Sequence, residues 1–257
     1  MKILVVAPSW IGDTILAQPL FRLLHAQHPG LELDVLAPPW TLPLLKRMRE
    51  VSSAVLNPFG HGELSLLARR ALGRSLAARQ YGQAVVLPNT FKSALAPFFA
   101  RVPLRTGYRG EMRWGVLNDV RRLDEAALPQ LAQRYAALAF PAGSAPPQNL
   151  APPRLDIVDD ARRATLEKFG IAADAVAVAL CPGAEYGPAK RWPVEYYGEL
   201  ARALAARGTD VWLVGSHKDA AVGEEIVLAA GGAGTRCRNF CGSTSLGEAV
   251  DLLASAR

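Results

Sequence analysis

The chain has 257 residues, half of them hydrophobic and a fifth charged. That balance excludes a disordered or fibrous chain and suits one large or two modest domains. The net charge of +6 is uneven, with 17 Lys and Arg against 9 Asp and Glu over residues 1–143 but 12 against 14 over residues 144–257, so only the first half is suited to an anionic partner.

Lys2–Ala7 is a short β-branched apolar run, the pattern of a buried parallel strand. After the loop Pro8–Asp13, the spacing predicts a helix over Thr14–His28, with Ile15, Leu16, Leu20, Leu23 and Leu24 on one face and Pro29–Gly30 as its stop. A second strand reads Glu32–Leu36. The Pro38–Pro39 pair breaks it, and a helix over Leu42–Arg49 leads to a strand near Ala54–Leu56. Beyond a His61–Gly62 turn come a basic helix over Leu64–Arg79, a strand Ala84–Leu87 ending at Pro88–Asn89, and a helix over Phe91–Ala100. Arg105–Tyr108 is a short strand-like piece and Leu128–Phe140 a helix. Gly143–Pro153, with Pro146–Pro147 and Pro152–Pro153, is the linker between 1–150 and 151–257.

The rhythm then restarts. Helix Asp159–Phe169, strand Val176–Leu180, the Gly- and Pro-rich loop Cys181–Pro193 and helix Val194–Arg207 follow in turn. Strand Val211–Val214 ends at Gly215–Ser216; helix Asp219–Ala230, a strand near 238–241 and a last helix from about Ser245 complete the chain. This alternation calls for an α/β fold with doubly wound parallel sheets. Three strands leave the second sheet thin, so it is expected to be incomplete or to pair its open edge with something.

In such sheets ligands bind beyond the carboxyl ends of the strands. Gly12 permits close backbone approach there. Asp13 reads either as a helix cap or as a catalytic carboxylate. The loop has one Gly rather than G-x-G-x-x-G, and no Gly–Lys–Ser/Thr follows, so neither nucleotide fingerprint is present. In the second loop Gly183 and Gly187 free the backbone while Lys190 and Arg191 supply charge. It reads as a phosphate site at a helix N-terminus or as a plain surface loop. Between Arg69 and Arg122 stand 11 basic residues and two acids, Glu111 and Asp119. That stretch is a solvated face or a surface for nucleic acid, a membrane or an acidic glycolipid. Three cysteines, Cys181, Cys237 and Cys241, fit a reducing compartment, and the Cys237/Cys241 pair lacks the further ligands a zinc site needs. No apolar run reaches the ~18–20 residues that span a bilayer, and Lys2 with the short run Ile3–Pro8 is no secretory signal, so the chain reads as cytoplasmic.

The opening Met1–Val6 through Gly12–Asp13, the segments Val86–Leu95 and Arg105–Arg113, and the loop Cys181–Pro193 resemble the ADP-heptose:lipopolysaccharide heptosyltransferases, the type II branch of glycosyltransferase family 9. The resemblance runs over essentially the whole chain, and Pro182–Glu185 followed by Pro188–Trp192 is its most specific piece. It implies a GT-B fold: two Rossmann-like doubly wound parallel-sheet domains facing a cleft, 1–150 binding the acceptor and 151–257, incomplete, binding the nucleotide sugar. It also implies an inverting transferase that moves L-glycero-D-manno-heptose from ADP-heptose to the first heptose of the lipopolysaccharide inner core. ADP-heptose is then a co-substrate, with no cofactor and no metal.

By that resemblance Asp13 is the general base and Lys190 meets the donor phosphates. Gly12, Gly183, Ala184, Tyr186 and Ser216 complete the donor site, and Asp219 is the nearest match to a nucleoside-binding acid. Glu185 and Tyr186 stand where relatives hold hydroxyl side chains before that Lys. Lys92, Arg105, Arg109 and Arg113 are expected to hold the anionic acceptor. The helix bearing Arg69, Arg70 and Arg74 is expected to add to this or to touch the inner-membrane leaflet. The family's acidic–small–Gly–x–x–His motif is not in the chain, which therefore reads as a C-terminally shortened copy. Rival readings are another nucleotide-sugar enzyme of this fold and a basic nucleic-acid module. The latter lacks interleaved aromatics and any recognised binding signature, so no nucleic-acid partner is expected.

Overall fold

The computed structural model describes residues 1–257 apart from 61, 146–147, 186, 233–235 and 257 and the side chain of 188. They form two compact units, Met1–Asp156 and Ile157–Arg257. The Pro146–Pro147 step and His61 lie outside the described residues. The division falls after Asp156 rather than at 150 because the intervening residues are bonded to the first unit. The Gln18 side chain donates to the Arg154 carbonyl at 2.8 Å and accepts from its N–H at 2.6 Å, and Arg49 pairs with Asp156 at 2.6 Å.

The first unit runs β1 (Lys2–Val6), α1 (Ile11–Leu16), α2 (Gln18–Gln27), β2 (Glu32–Ala37), α3 (Leu42–Leu45), β3 (Ser53–Leu56), α4 (Leu66–Ala77), β4 (Gln83–Val86), α5 (Leu95–Phe99), β5 (Leu104–Tyr108), β6 (Asp119–Arg121) and α6 (Leu131–Ala137). Its strands form one parallel sheet in the order β3-β2-β1-β4-β5-β6. Ile3, Leu4, Val5 and Val6 are no more than 2% exposed. Both faces of β1 are covered, which is why that run shows no polar alternation.

One expected helix is divided, and one strand is present that the sequence did not announce. The helix over Thr14–His28 is two helices joined at Ala17: α1 starts earlier, at Ile11, and Pro19 falls in the first turn of α2, where its missing N–H costs nothing. The strand β6 carries no apolar signal. Arg121 and the Thr106 hydroxyl both bond the Asp119 carboxylate and hold it beside β5. Helix α4 lies close on α5 because Gly73 has no side chain; a Cβ there would sit 2.4 Å from Cβ of Phe99.

The second unit runs α7 (Asp159–Lys168), β7 (Ala177–Leu180), α8 (Val194–Ala205), β8 (Asp210–Leu213), α9 (Ala220–Ala229), β9 (Cys237–Asn239) and α10 (Leu246–Ser255). The three strands are parallel in the order β7-β8-β9. Trp212 anchors the core on one face with Leu166, Phe240 and Leu252, and Val211, Leu213 and Ile226 fill the other. Helix α10 begins with a reciprocal cap: the Ser245 N–H donates to Glu248 Oε2 at 2.7 Å and the Glu248 N–H to Ser245 Oγ at 3.3 Å.

Candidate active site

In the first sheet the strand order reverses between β1 and β4, so the loops leaving these two strands part and open a crevice at their carboxyl ends. A cavity of about 500 Å³ lies there, lined by Pro8, Trp10 and Asp13 after β1, by Asn89, Thr90 and Lys92 after β4, and by Tyr135 of α6. The loop after β1 is held from two sides. The buried Thr14 hydroxyl lies 2.9 Å from the Trp10 carbonyl, and the Trp40 indole donates to the Ser9 carbonyl at 2.7 Å.

Asp13 is not the helix cap. Trp10 occupies that position, and Asp13 is the third residue of α1. Its carboxylate, half-buried at the cavity wall, has no hydrogen bond or ion pair among the described residues. Burial holds it above the ordinary carboxyl range. The phenol of Tyr135 is in turn pushed up by burial and by the Asp13 charge. An unpartnered, partly desolvated carboxylate facing a cavity is a proton acceptor in waiting. Gly12, exposed beside it, has open space where a Cβ would project.

The second wall is splinted from behind by the segment after β5. Gly110 lies so close to Asn89 that a Cβ would meet the Asn89 carbonyl at 2.2 Å. The Glu111 carboxylate accepts from the Phe91 N–H at 2.7 Å. Arg113, 3% exposed, donates to the Pro88 carbonyl at 2.6 Å, to the Asn89 side chain at 3.2 Å and to the Tyr108 carbonyl. Burial pushes its guanidinium down to about 10.

The four cations expected to hold an anionic acceptor therefore separate. Lys92 lines the cavity. Arg109 is exposed at the carboxyl end of β5, its guanidinium 5.7 Å from the Trp114 ring centre. Arg113 is consumed in fixing the loop after β4. Arg105 sits near the amino end of β5 and donates to the carbonyls of Val116 and Val102 at 2.6 and 2.5 Å, away from the Asp13 loop. Arg69 turns into the cavity wall instead, bonded to the carbonyls of Leu64, Glu63 and Lys92.

In the second unit the loops after β7 and β8 meet around Asp219. Its Oδ2 accepts from the Ser216 N–H at 2.8 Å and the Ser216 hydroxyl at 2.6 Å. Gly183 lies against the same carboxylate, so that a Cβ there would sit 2.4 Å from Asp219 Cγ. Gly183, Ser216 and Asp219, expected to touch the donor, first of all lock two loops together. Ala184 accepts from Arg191 at 3.2 Å, and Glu185 pairs with Lys218 at 2.6 Å. Lys190 ends the short turn Pro188–Lys190 and is exposed ahead of α8. Tyr186 lies outside the described residues. Cys237 and Cys241 are buried, and no cluster of three metal-ligating side chains occurs among the described residues.

The sequence profile of glycosyltransferase family 9 (heptosyltransferase) matches residues 69–257. The chain is 48% identical over 263 residues to lipopolysaccharide heptosyltransferase 2 of Escherichia coli K12, covering 100% of this chain and 76% of that one. The chain belongs to glycosyltransferase family 9, the heptosyltransferases. The solved structure of the E. coli ADP-heptose lps heptosyltransferase II superimposes with a TM-score of 0.90 at 46% identity, over 100% of this chain and 77% of the other. A family 9 glycosyltransferase of Veillonella parvula shares the fold at a TM-score of 0.85 and 16% identity, over 99% and 73% of the two chains.

This family 9 glycosyltransferase thus has the GT-B type of α/β fold, and its chemistry is glycosyl transfer in lipopolysaccharide core synthesis. Tyr135 and the wall of its cavity formed by Asn57, Phe59 and Gly60 were not singled out in the sequence, because they come from a loop and a helix far apart along the chain; Asn89 lay within the segment Val86–Leu95. Gly110 and Glu111 were within a segment singled out for its arginines, yet it is the glycine and the acid that shape the cavity.

Proposed function

We propose that the chain transfers L-glycero-D-manno-heptose from ADP-heptose to the first heptose of the lipopolysaccharide inner core in a single inverting displacement. The acceptor hydroxyl oxygen attacks the anomeric carbon, its proton passes to Asp13, and the bond to the β-phosphate oxygen breaks as ADP leaves. The observation that carries this is the partly buried, unpartnered Asp13 carboxylate in the cavity beyond β1. A base must be ionised to accept a proton, and a raised pKa makes it a stronger acceptor once ionised. Lys190 is assigned to the leaving diphosphate, where a fixed cation stabilises the transition state more than the ground state. Lys92 is assigned to an anionic group of the acceptor, with Arg109 next in reach. Asp219, Ser216 and Gly183 shape the donor loops, with the Ala184 backbone beside them, and Gly12 has the open space that a close approach by the donor requires.

The reaction is proposed to need no resident metal, so that turnover survives exhaustive treatment with EDTA. We also assign the protein a peripheral place on the cytoplasmic face of the inner membrane, where its acceptor is anchored. The test is steady-state transfer from ADP-heptose to a mono-heptosylated core acceptor as a function of pH. Activity should fall as pH drops through the Asp13 pKa, at a pH above that of an ordinary aspartate. An acid limb unchanged in Asp13→Asn would mean that another group is the base.

A further inference from the structure

We infer that the outer faces of α4 and α5 form the surface by which this protein docks on an anionic phospholipid bilayer. The inference rests on the peripheral placement proposed above and names its site. Leu66, Leu67, Arg70, Arg74, Phe98 and Arg101 line an open groove of about 870 Å³ between the two helices.

Its chemistry is mixed in a way a water-facing surface does not require. Leu67 is 80% exposed and Leu66 48%, and the Phe98 ring stands out beside them. Arg70, Arg74 and Arg101 surround these apolar side chains, no acid lines the groove among the described residues, and none of the three arginines has an ion-pair partner there. Arg101 moreover holds a φ of +57°, a backbone state that glycine adopts without strain. Apolar side chains ringed by cations suit the headgroup region of an anionic leaflet, where leucine and phenylalanine enter the acyl boundary and each arginine meets a phosphate. A nucleic acid would use the cations but leave the leucines in water. Among the described residues no helix is long and apolar enough to cross a membrane, so attachment by these helices is of the surface kind.

The geometry also couples the groove to the cavity. Helix α4 sends Arg69 into the cavity wall and presents Arg70 and Arg74 outward. Docking on α4 therefore brings the cavity beside the leaflet that holds a lipid-anchored acceptor.

The experiment is co-sedimentation of the full chain with vesicles of phosphatidylglycerol and phosphatidylethanolamine, and with vesicles of phosphatidylcholine, at low and physiological salt. The parent should bind the anionic vesicles and not the neutral ones. At about fivefold per arginine, the pair Arg70→Glu and Arg74→Glu should weaken binding by roughly twentyfold or more. Leu67→Glu should weaken it as well without lowering the melting temperature, because that side chain is exposed. Transfer to a delipidated, soluble acceptor should be unchanged in both variants, since neither touches the Asp13 cavity. If the parent binds the vesicles and the variants bind equally well, the surface lies elsewhere and the peripheral placement stands. If the parent binds no vesicle, or binds duplex DNA as tightly at the same salt, the docking inference is wrong. Loss of soluble-acceptor transfer in the parent would count against the proposed reaction, not against the surface.

Discussion

Asp13 and Asp219 each lie beyond the carboxyl end of a parallel strand, the first strand of one unit and the second strand of the other, yet the fold treats them in opposite ways. Asp219 is bonded twice by Ser216 and packed against Gly183, so its carboxylate is part of the scaffold. Asp13 is left without a partner among the described residues and is partly desolvated. A strand-end acid is thus no marker of catalysis by itself. What distinguishes the two is whether the surrounding protein has already satisfied the carboxylate. A satisfied acid holds loops; an unsatisfied one has lone pairs free to accept a proton, the role proposed for Asp13.

The sharpest way to break the comparison is Asp13→Asn. Turnover should fall by roughly 10²–10⁴, the usual worth of a positioned base. Its pKa in the folded chain is raised, so the ionised form is the less stable one there, and the penalty shrinks as pH falls through that pKa and is gone below the ordinary aspartate value. Removing the charge should therefore leave the melting temperature at pH 7 no lower than the parent's. A large loss of stability with little loss of turnover would make Asp13 a scaffold residue like Asp219.

Lys190→Ala comes next. With its charge lost from the diphosphate, kcat/KM for ADP-heptose should drop by roughly ten- to a hundredfold while acceptor KM stays near the parent value. Equal effects on both substrates would remove Lys190 from the donor site.

Glycine substitutions sharpen the contrast in stability. Gly183→Ala drives a Cβ into the Asp219 carboxylate and should cost about 1–3 kcal/mol, read as a lower urea midpoint. Gly12→Ala meets open space inside a helix and should be neutral or stabilising by about 0.5 kcal/mol. Loss of donor binding in Gly12→Ala without loss of stability would show that the backbone there is approached by substrate.

Among the variants expected to impair activity, Lys92→Ala should show the smallest effect, a rise of roughly three- to tenfold in acceptor KM from loss of one charged contact at the cavity wall. Donor KM should not move. A matching change in donor KM would place Lys92 in general loop stability instead.

By itself the sequence determined the α/β rhythm, the parallel strands, the two-unit plan and the two loops worth inspecting. These follow from local causes: a β-branched run such as Ile3–Val6 buried on both faces, proline and glycine as breaks, and the Ser245-to-Glu248 cap that starts α10. Gly12–Asp13 and Lys190 stood out in the sequence because each follows a strand, the first pair in the opening turn of α1 and the lysine in the turn ahead of α8. Strand β6 was not, since Asp119 and Arg121 stay in place through an ion pair and the Thr106 hydroxyl rather than through hydrophobic pattern. Nor could composition sort the arginines. Arg70 and Arg113 are the same residue type in the same basic stretch, and only packing made one an exposed cation and the other a buried brace holding Pro88 and Asn89. Charge is written residue by residue, but whether a charge is free to meet a ligand depends on which carbonyls and carboxylates the fold brings within hydrogen-bonding distance, and that is decided only in three dimensions.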